Sequence, residues 1–521
     1  MASAAHEETI DRQRPVPRSV PTGFNVATIL RESARRLPDK AAVHSPFGSV
    51  TYRELDVRSD VVATSLRRLG IGEGDAVAIQ LPNVPEFLYA HFGILKLGAM
   101  VVPLNPLLKE REIAYHLEDS SSRALVTWSS FAEGAIAGAA AAGVERVFVA
   151  GGDTLGAAPF DELLEGPAEP IFELRSPADT AVVIYTSGTT GKPKGAELTH
   201  FQLYLNCDIP ARMVGYTEDD VTVAVLPLFH VYGLSSILHP AIRFGGSLTL
   251  IPRFEAETVL AAIERDRATF FAGVPTMYIA LLEHPAFDGY DTSSLRVAIS
   301  GGASIPAEVL DEWERRVGVA VLEGYGLSET ASTTTWNPST EERRVYSVGK
   351  PIWGVEVEIW DDAGNPLPRG REQVGEVVIR GSNVMKGYLG KPGATQAAFT
   401  GGWFHSGDLG YVDEDGFLFI VDRKKDLIIR GGYNVYPREV EEVLYTHQAV
   451  AEAAVIGVPH PRLGEEVKAL VALRAASDVS AEELIEFAKE RLASYKYPRL
   501  VELREELPKG PSGKILKTDL A

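Results

Sequence analysis

Ala181-Val182-Val183-Ile184-Tyr185-Thr186-Ser187-Gly188-Thr189-Thr190-Gly191-Lys192-Pro193-Lys194-Gly195 runs from an apolar segment straight into a loop crowded with glycine, hydroxyls and lysine. A short apolar run without polar alternation predicts a strand buried on both faces. Glycine frees the backbone after it to turn several N–H groups toward one point, which forms a nest for an anion. Thr186, Ser187, Thr189 and Thr190 add hydroxyls, and Lys192 and Lys194 add positive charge. A polyphosphate matches that set of donors. The loop is not of the G-x-x-x-x-G-K-[ST] kind, because Pro193 follows Lys192. A flexible surface turn is the bland alternative, but it leaves this composition after a buried strand without a reason.

Outward from that strand the same pattern repeats. Val77–Leu81, Val101–Leu104, Ala124–Trp128 and Val147–Ala150 read as further buried strands, and Leu55–Leu69 shows helical spacing. From about Phe24 to Phe254 this alternation predicts an α/β fold with parallel-type sheets covered by helices. Val374–Ile379 and Gly416–Val421 predict a more β-rich section. The run Asp422-Arg423-Lys424-Lys425-Asp426 between two apolar strands suits an exposed hinge. It divides a polar lead over 1–23 and a large domain over 24–424 from a small, mobile α+β domain over 425–521. Pro437 opens a helix through Tyr445, Ala453–Val458 and Val467–Leu473 read as strands, and Ser480 with Glu483 makes a capping box for a helix to Leu492.

Bulk composition narrows the function classes. The 521 residues allow about three or four compact units or fewer large ones. The formal net charge of −20 argues against nucleic acid or an anionic membrane surface as the main partner. Cys207 is the only cysteine, so there is no internal disulfide and no cysteine-based zinc site, which suits a reducing, cytoplasmic setting. Met1–Pro21 lacks the apolar core of a secretory signal. No apolar run is long enough to span a bilayer, so stable membrane insertion is not expected. Ala135–Val144, rich in alanine and glycine, reads as a short surface helix.

Two more glycine patterns stand out. Gly324-Tyr325-Gly326-Leu327-Ser328-Glu329 starts like a dinucleotide fingerprint but carries Glu329 where its third glycine belongs. An aromatic ring, a hydroxyl and a carboxylate on one tight loop suit a base, a phosphate and Mg²⁺. Ser300-Gly301-Gly302-Ala303 permits close backbone approach to a flat ligand. Taken singly, each is more often a plain turn than a site. The chain has no G-x-S-x-G nucleophile elbow and no His-Glu-x-x-His. Among scattered histidines, His230 is notable for its apolar setting, Leu226-Pro227-Leu228-Phe229-His230-Val231-Tyr232-Gly233.

Together these segments resemble the adenylate-forming superfamily of acyl-CoA synthetases, luciferases and peptide-synthetase adenylation domains. The likeness spans about Asn25 to Lys517 and also takes in Trp403-Phe404-His405-Ser406-Gly407-Asp408 and Pro508-Lys509-Gly510-Pro511-Ser512-Gly513-Lys514. Gly273–Tyr278 and Gly431–Pro437 look most like bacterial long-chain fatty acid ligases. The resemblance implies an ATP-dependent ligase that makes an acyl-adenylate and pyrophosphate, then passes the acyl group to coenzyme A. Thr186–Lys194 would bind the ATP phosphates, including Ser187, Gly188, Thr189, Thr190, Gly191 and Lys192. Gly302, Ala303, Tyr325 and Gly326 would frame the adenine. Ser328 stands where the family usually has a phosphate-contacting threonine. Glu329 would hold Mg²⁺, and Asp408 and Arg423 the ribose. Lys514 would be the catalytic lysine, His230 a gate and Lys425 the hinge. Gly431, Gly432 and Tyr433 would lie on the CoA side. Read apart from the family, Asp408 is a turn aspartate and Lys514 a solvated tail lysine.

The acid is expected to be a fatty acid of medium or long chain. Between Val221 and Phe254 no carboxylate stands near His230, which argues against an α-amino acid. Tyr232, Gly233, Met277 and Tyr278 suit an apolar tail. The rivals are an aryl ligase of the coumarate type, an acyl-AMP ligase serving a separate carrier protein, and a non-catalytic acyl-nucleotide binder, against which Lys514, Glu329 and Asp408 all count. The resemblance also implies a lysine acetyltransferase acting on Lys514.

Overall fold

The computed structural model describes residues 23–186, 192–475, 477–510 and 513–520. The lead over 1–22 and the loop residues Ser187, Gly188, Thr189, Thr190 and Gly191 lie outside them.

The apolar runs form the centres of two large sheets. An eight-stranded sheet has the order Gly387–Tyr388, Lys194–Thr199, Thr180–Thr186, Met100–Pro103, Ala76–Gln80, Ser122–Trp128, Val147–Ala150, Ala158–Pro159. From Thr180–Thr186 onward the neighbours are parallel. Lys194–Thr199, however, returns antiparallel to Thr180–Thr186, with Thr186 opposite Lys194. The strands on either side of the glycine-rich segment therefore pair with each other. A nine-stranded sheet carries a parallel core of Val321–Tyr325, Val297–Ser300, Phe270–Gly273, Val221–Ala224, Ser247–Leu250 and Ala41–Ser45. The strands Ala76–Gln80 and Val147–Ala150 are buried at every position, as expected of strands covered on both faces.

A third sheet, antiparallel throughout, holds Val355–Trp360, Gly375–Gly381, Phe399–Thr400, Trp403–Val412 and Leu418–Arg423. The chain then passes to a fourth sheet, starting at Ile428–Arg430, whose core is the long hairpin Val450–His460 and Gly464–Leu473. Pro437–Tyr445 and Ala481–Lys489 cover it, the second starting at the full Ser480–Glu483 capping box. This small α+β unit has its own apolar core around Val440, Leu444, Val455, Val467 and Leu484.

One expectation changes in kind. The alanine-rich segment forms Ala132–Ala141, but its Ala135, Gly138 and Ala139 are buried. A Cβ on Gly138 would lie 2.8 Å from the Glu110 carbonyl oxygen, so small residues here allow close packing on the helix Glu110–Asp119. The segment covers the sheet and is not simply a surface helix.

Candidate active site

The loops after the parallel strands Val221–Ala224, Phe270–Gly273, Val297–Ser300 and Val321–Tyr325 open on one side of the nine-stranded sheet, where open α/β sheets bind ligands. The strand ends at Thr186 and Lys194 meet them through Glu329. Glu329 sits in the single turn Ser328–Thr330, which the Thr330 hydroxyl closes by accepting from Leu327 N at 2.8 Å. The Thr186 hydroxyl donates to Glu329 Oε1 at 3.2 Å and the Tyr388 hydroxyl donates to the same oxygen at 3.0 Å. Both hydroxyls hold one oxygen, which leaves Oε2 as a hard anionic ligand, and the donor set fits Mg²⁺. No group of three or more His, Cys, Asp or Glu suited to a metal occurs among the described residues, so the remaining ligands of such a cation would be phosphate oxygens and water. Burial and the Glu329 charge raise the Tyr388 phenol well above its usual range, so it stays a proton donor. Lys194 Nζ lies 5.3 Å from the Tyr388 ring centre and Lys192 Nζ 5.2 Å from that of Tyr115. Below the loop, Asp119 accepts from Tyr185 at 2.9 Å and pairs with Lys391.

Across the site, strand register sets Asp408 beside Arg423. Arg423 Nε is 3.5 Å from Asp408 Oδ1, and the Tyr325 hydroxyl donates to Oδ2 at 2.6 Å. Burial raises the Asp408 carboxyl, opposed by Arg423, by the Tyr325 hydrogen bond and by Lys514. Lys514 arrives from the small domain, whose loop is held by the Thr276 hydroxyl donating to Gly513 O at 2.8 Å. Burial, with Arg423 repulsion added, lowers the Lys514 ammonium to about 8 against a pull from Asp408. A Cβ on Gly302 would lie 2.7 Å from Lys514 Cε, and Gly302 has φ +83°, so this position requires glycine twice over. His230 accepts from Tyr232 N through Nδ1 at 3.2 Å, which puts its proton on Nε2. Burial first, then the Lys514 charge, lower the imidazole to about 4, so it is neutral near pH 7.

Beyond His230 the chain makes a π-helical turn, Leu234–Leu238, of a kind found often at functional sites. It lines a narrow cavity of about 20 Å³ with Val214, Tyr232, Ile237, Pro240, Phe270 and Trp336 among its walls. No charged side chain lines it.

Two family models match this chain: "AMP-binding enzyme" over residues 30–389 and "AMP-binding enzyme C-terminal domain" over 439–514. The chain belongs to the AMP-binding enzyme family. It is similar to a long-chain-fatty-acid–CoA ligase of Bacillus subtilis, at 36% identity over 99% of this chain and 97% of that protein. It is also similar to a feruloyl-CoA synthase of an Amycolatopsis species, at 39% over 94% and 96%. Its structure matches that of an anthranilate CoA ligase in complex with anthranoyl-AMP with a TM-score of 0.91, at 31% identity over 96% and 97% of the two chains.

The other positions named from the sequence take up varied local settings. The space beside Gly301 is taken by the Tyr232 ring, since a Cβ there would lie 3.0 Å from Tyr232 Cε1. Gly324 is likewise covered by the Trp336 indole, 2.7 Å from its would-be Cβ. These glycines admit flat side chains of the protein itself. Gly326 has the Ser332 carbonyl oxygen 1.6 Å from its would-be Cβ, a self-crossing that leaves Ala331 at φ 54° and Ser332 at φ 103°. Gly233 makes room for the Pro227 backbone, and Tyr278, fully buried against Phe271 and Trp313, donates to Ile299 O at 2.7 Å. Met277 sits near Gly513. Ala303 is exposed on its loop and Ser328 is partly buried. Lys425 occupies the exposed turn between Arg423 and Ile428. Gly431, Gly432 and Tyr433 form an exposed turn, with Tyr433 stacked on Tyr495 at 4.8 Å. Tyr388, Thr276 and Trp336 carried no sequence signal, because each acts through a partner distant in the chain.

Proposed function

We propose that the acid taken by this adenylate-forming acid–CoA ligase, which uses ATP, Mg²⁺ and coenzyme A, has an uncharged, apolar tail and is a medium- or long-chain fatty acid. One observation carries this reading: the cavity behind His230 has no charged lining residue. A second carboxylate or an ammonium buried there would lack a partner and cost several kcal/mol. The narrowness of the cavity favours a second reading, a flat aryl acid, which an aromatic-walled slot takes up with little rearrangement.

In this reading Thr186, Lys192 and Lys194 hold the phosphates, while Glu329, kept in place by Thr186 and Tyr388, holds Mg²⁺, which supplies charge neutralisation at the phosphates. Asp408 and Arg423 hold the ribose. Lys514 lies where an acid carboxylate meets the α-phosphate, and its ammonium offsets their repulsion. Neutral His230 stands between the acyl cavity and that ammonium without adding a like charge. Transfer to CoA then calls for the small domain to turn about Lys425, withdraw Lys514 and bring the Gly431–Tyr433 turn inward. Acetylation of Lys514 would need the same withdrawal, because the ammonium is buried here.

The deciding experiment is release of pyrophosphate and formation of thioester from ATP and CoA across straight-chain acids, cinnamates and dicarboxylates. Turnover of a dicarboxylate above every uncharged acid would sink the uncharged-tail reading. A far higher kcat/KM for cinnamates than for any medium or long chain would sink the fatty-acid reading alone.

A further inference from the structure

The small domain touches the large one at Lys514 and also well away from it. Outside the hinge turn, hydrogen bonds and ion pairs join the two at Thr276, at Glu283 and around Asp422. Arg474 pairs with Glu283, but both side chains are 41% exposed, and an exposed pair adds little. The contact around Asp422 is shut away from water. Asp422 is buried in the strand Leu418–Arg423. Side chains alternate along a strand, so Arg423 faces Asp408 while Asp422 faces the other way. There Asp422 Oδ2 accepts from Arg438 N at 3.0 Å.

Arg438 is the second residue of the helix Pro437–Tyr445, whose own N-cap residue, Tyr436, makes no side-chain cap bond. A carboxylate of the large domain thus caps a helix of the small one, at the end where the helix dipole favours an anion. The Arg438 side chain crosses the same border. Its guanidinium donates to the Ile420 carbonyl oxygen and, at 2.9 Å, to Glu442 one turn along its own helix. That side chain is only 14% exposed, so its bonds meet little competition from water. Its charge also acts on Glu323, buried in the strand that leads to Tyr325. Burial lifts the Glu323 carboxyl to about 7, and Arg438 is the first influence opposing that rise.

Resting on the reading that the small domain turns between the two half-reactions, we propose that Arg438 is a positioning residue for adenylation. It ties the small domain to Ile420 through its side chain and to Asp422 through its backbone, and so holds the state in which Lys514 lies in the site. A rigid turn about Lys425 moves Arg438 relative to both partners, so the tie belongs to the docked state. A buried, charge-assisted bond counts for more there than the exposed Arg474–Glu283 pair.

The test uses the full-length protein and follows the two half-reactions separately. Adenylation is read as pyrophosphate release from ATP with the acid that the panel above turns over best. Thioester formation is read from the synthetic adenylate of that acid and CoA. Arg438→Ala removes the guanidinium and keeps the backbone N–H that Asp422 accepts from. Adenylation should fall by about tenfold, while thioester formation stays within about twofold or rises. Arg438→Lys keeps the charge without the planar fork and should recover part of the loss. Arg474→Ala should change either half-reaction by less than about twofold. Equal loss of both half-reactions in Arg438→Ala overturns the proposal, because a residue that only supports the fold lowers both. A split no larger than that of Arg474→Ala overturns it too. Should Arg438→Ala fail to fold, Arg438→Lys decides: a smaller split of the same sign supports the tie, and no split overturns it. Lys514→Ala is the reference. If its half-reactions separate and those of the Arg438 variants do not, the tie alone falls. If neither separates, the two-state reading falls with it.

Discussion

The two ends of the site are built in opposite ways. At the proposed phosphate end the described carboxylates have partners: Glu329 takes two hydroxyls, Asp408 takes Tyr325 and Arg423, and Lys192 and Lys194 lie over tyrosine rings. At the proposed acyl end no charged side chain lines the cavity behind His230. Prearranged charge serves a reaction centre, where reorganisation would raise the barrier. An uncharged wall serves selection, since a charged tail buried against it would lack a partner.

The largest test of this contrast is Lys514→Ala. Adenylate formation should fall by on the order of a thousandfold or more, while conversion of synthetic acyl-adenylate and CoA to thioester persists. If a folded mutant loses both half-reactions alike, Lys514 does not act at the phosphate end alone. Glu329→Gln comes next, with a loss on the order of a hundredfold in adenylation and a weaker response to Mg²⁺. Mn²⁺ binding followed by electron paramagnetic resonance in the presence of ATP gives a second readout, and unchanged Mn²⁺ affinity would remove Glu329 from the metal site. Tyr388→Phe should be milder, raising the Mg²⁺ concentration for half-maximal adenylation by about tenfold while sparing thioester formation. An equal effect on both half-reactions would mean that Tyr388 supports the fold and not the carboxylate.

The smallest effect is on pH. Burial lowers Lys514 from 10.5 to about 8, so the docked state binds fewer protons than the undocked one. Raising the pH through about 8 therefore strengthens docking of the small domain while removing the charge that adenylation needs. Adenylation should decline above that pH, and thioester formation from preformed adenylate should not share the limb. Lys514→Arg should move the limb upward, because a guanidinium keeps its proton. A decline common to both half-reactions would assign the limb to another group.

The chemistry proposed for the phosphate end is written in short runs: glycine, hydroxyl and lysine between Thr186 and Lys194, and Tyr325 to Glu329 on one tight loop. The buried strands and the capped helices were legible, since burial on two faces and capping are local demands. Two things were not. The antiparallel pair beside the glycine-rich segment depends on which strand Lys194–Thr199 pairs with, and an apolar run does not state its partner. The cavity behind His230 depends on Tyr232, Phe270 and Trp336 lining one space, although they lie far apart in the chain. The sequence by itself determined the α/β architecture, because buried strands and capped helices rest on neighbours in the chain. Only the tertiary structure decided which oxygen of Glu329 is held and what fills the space above Gly301 and Gly324, because each of those is a contact between residues far apart in sequence.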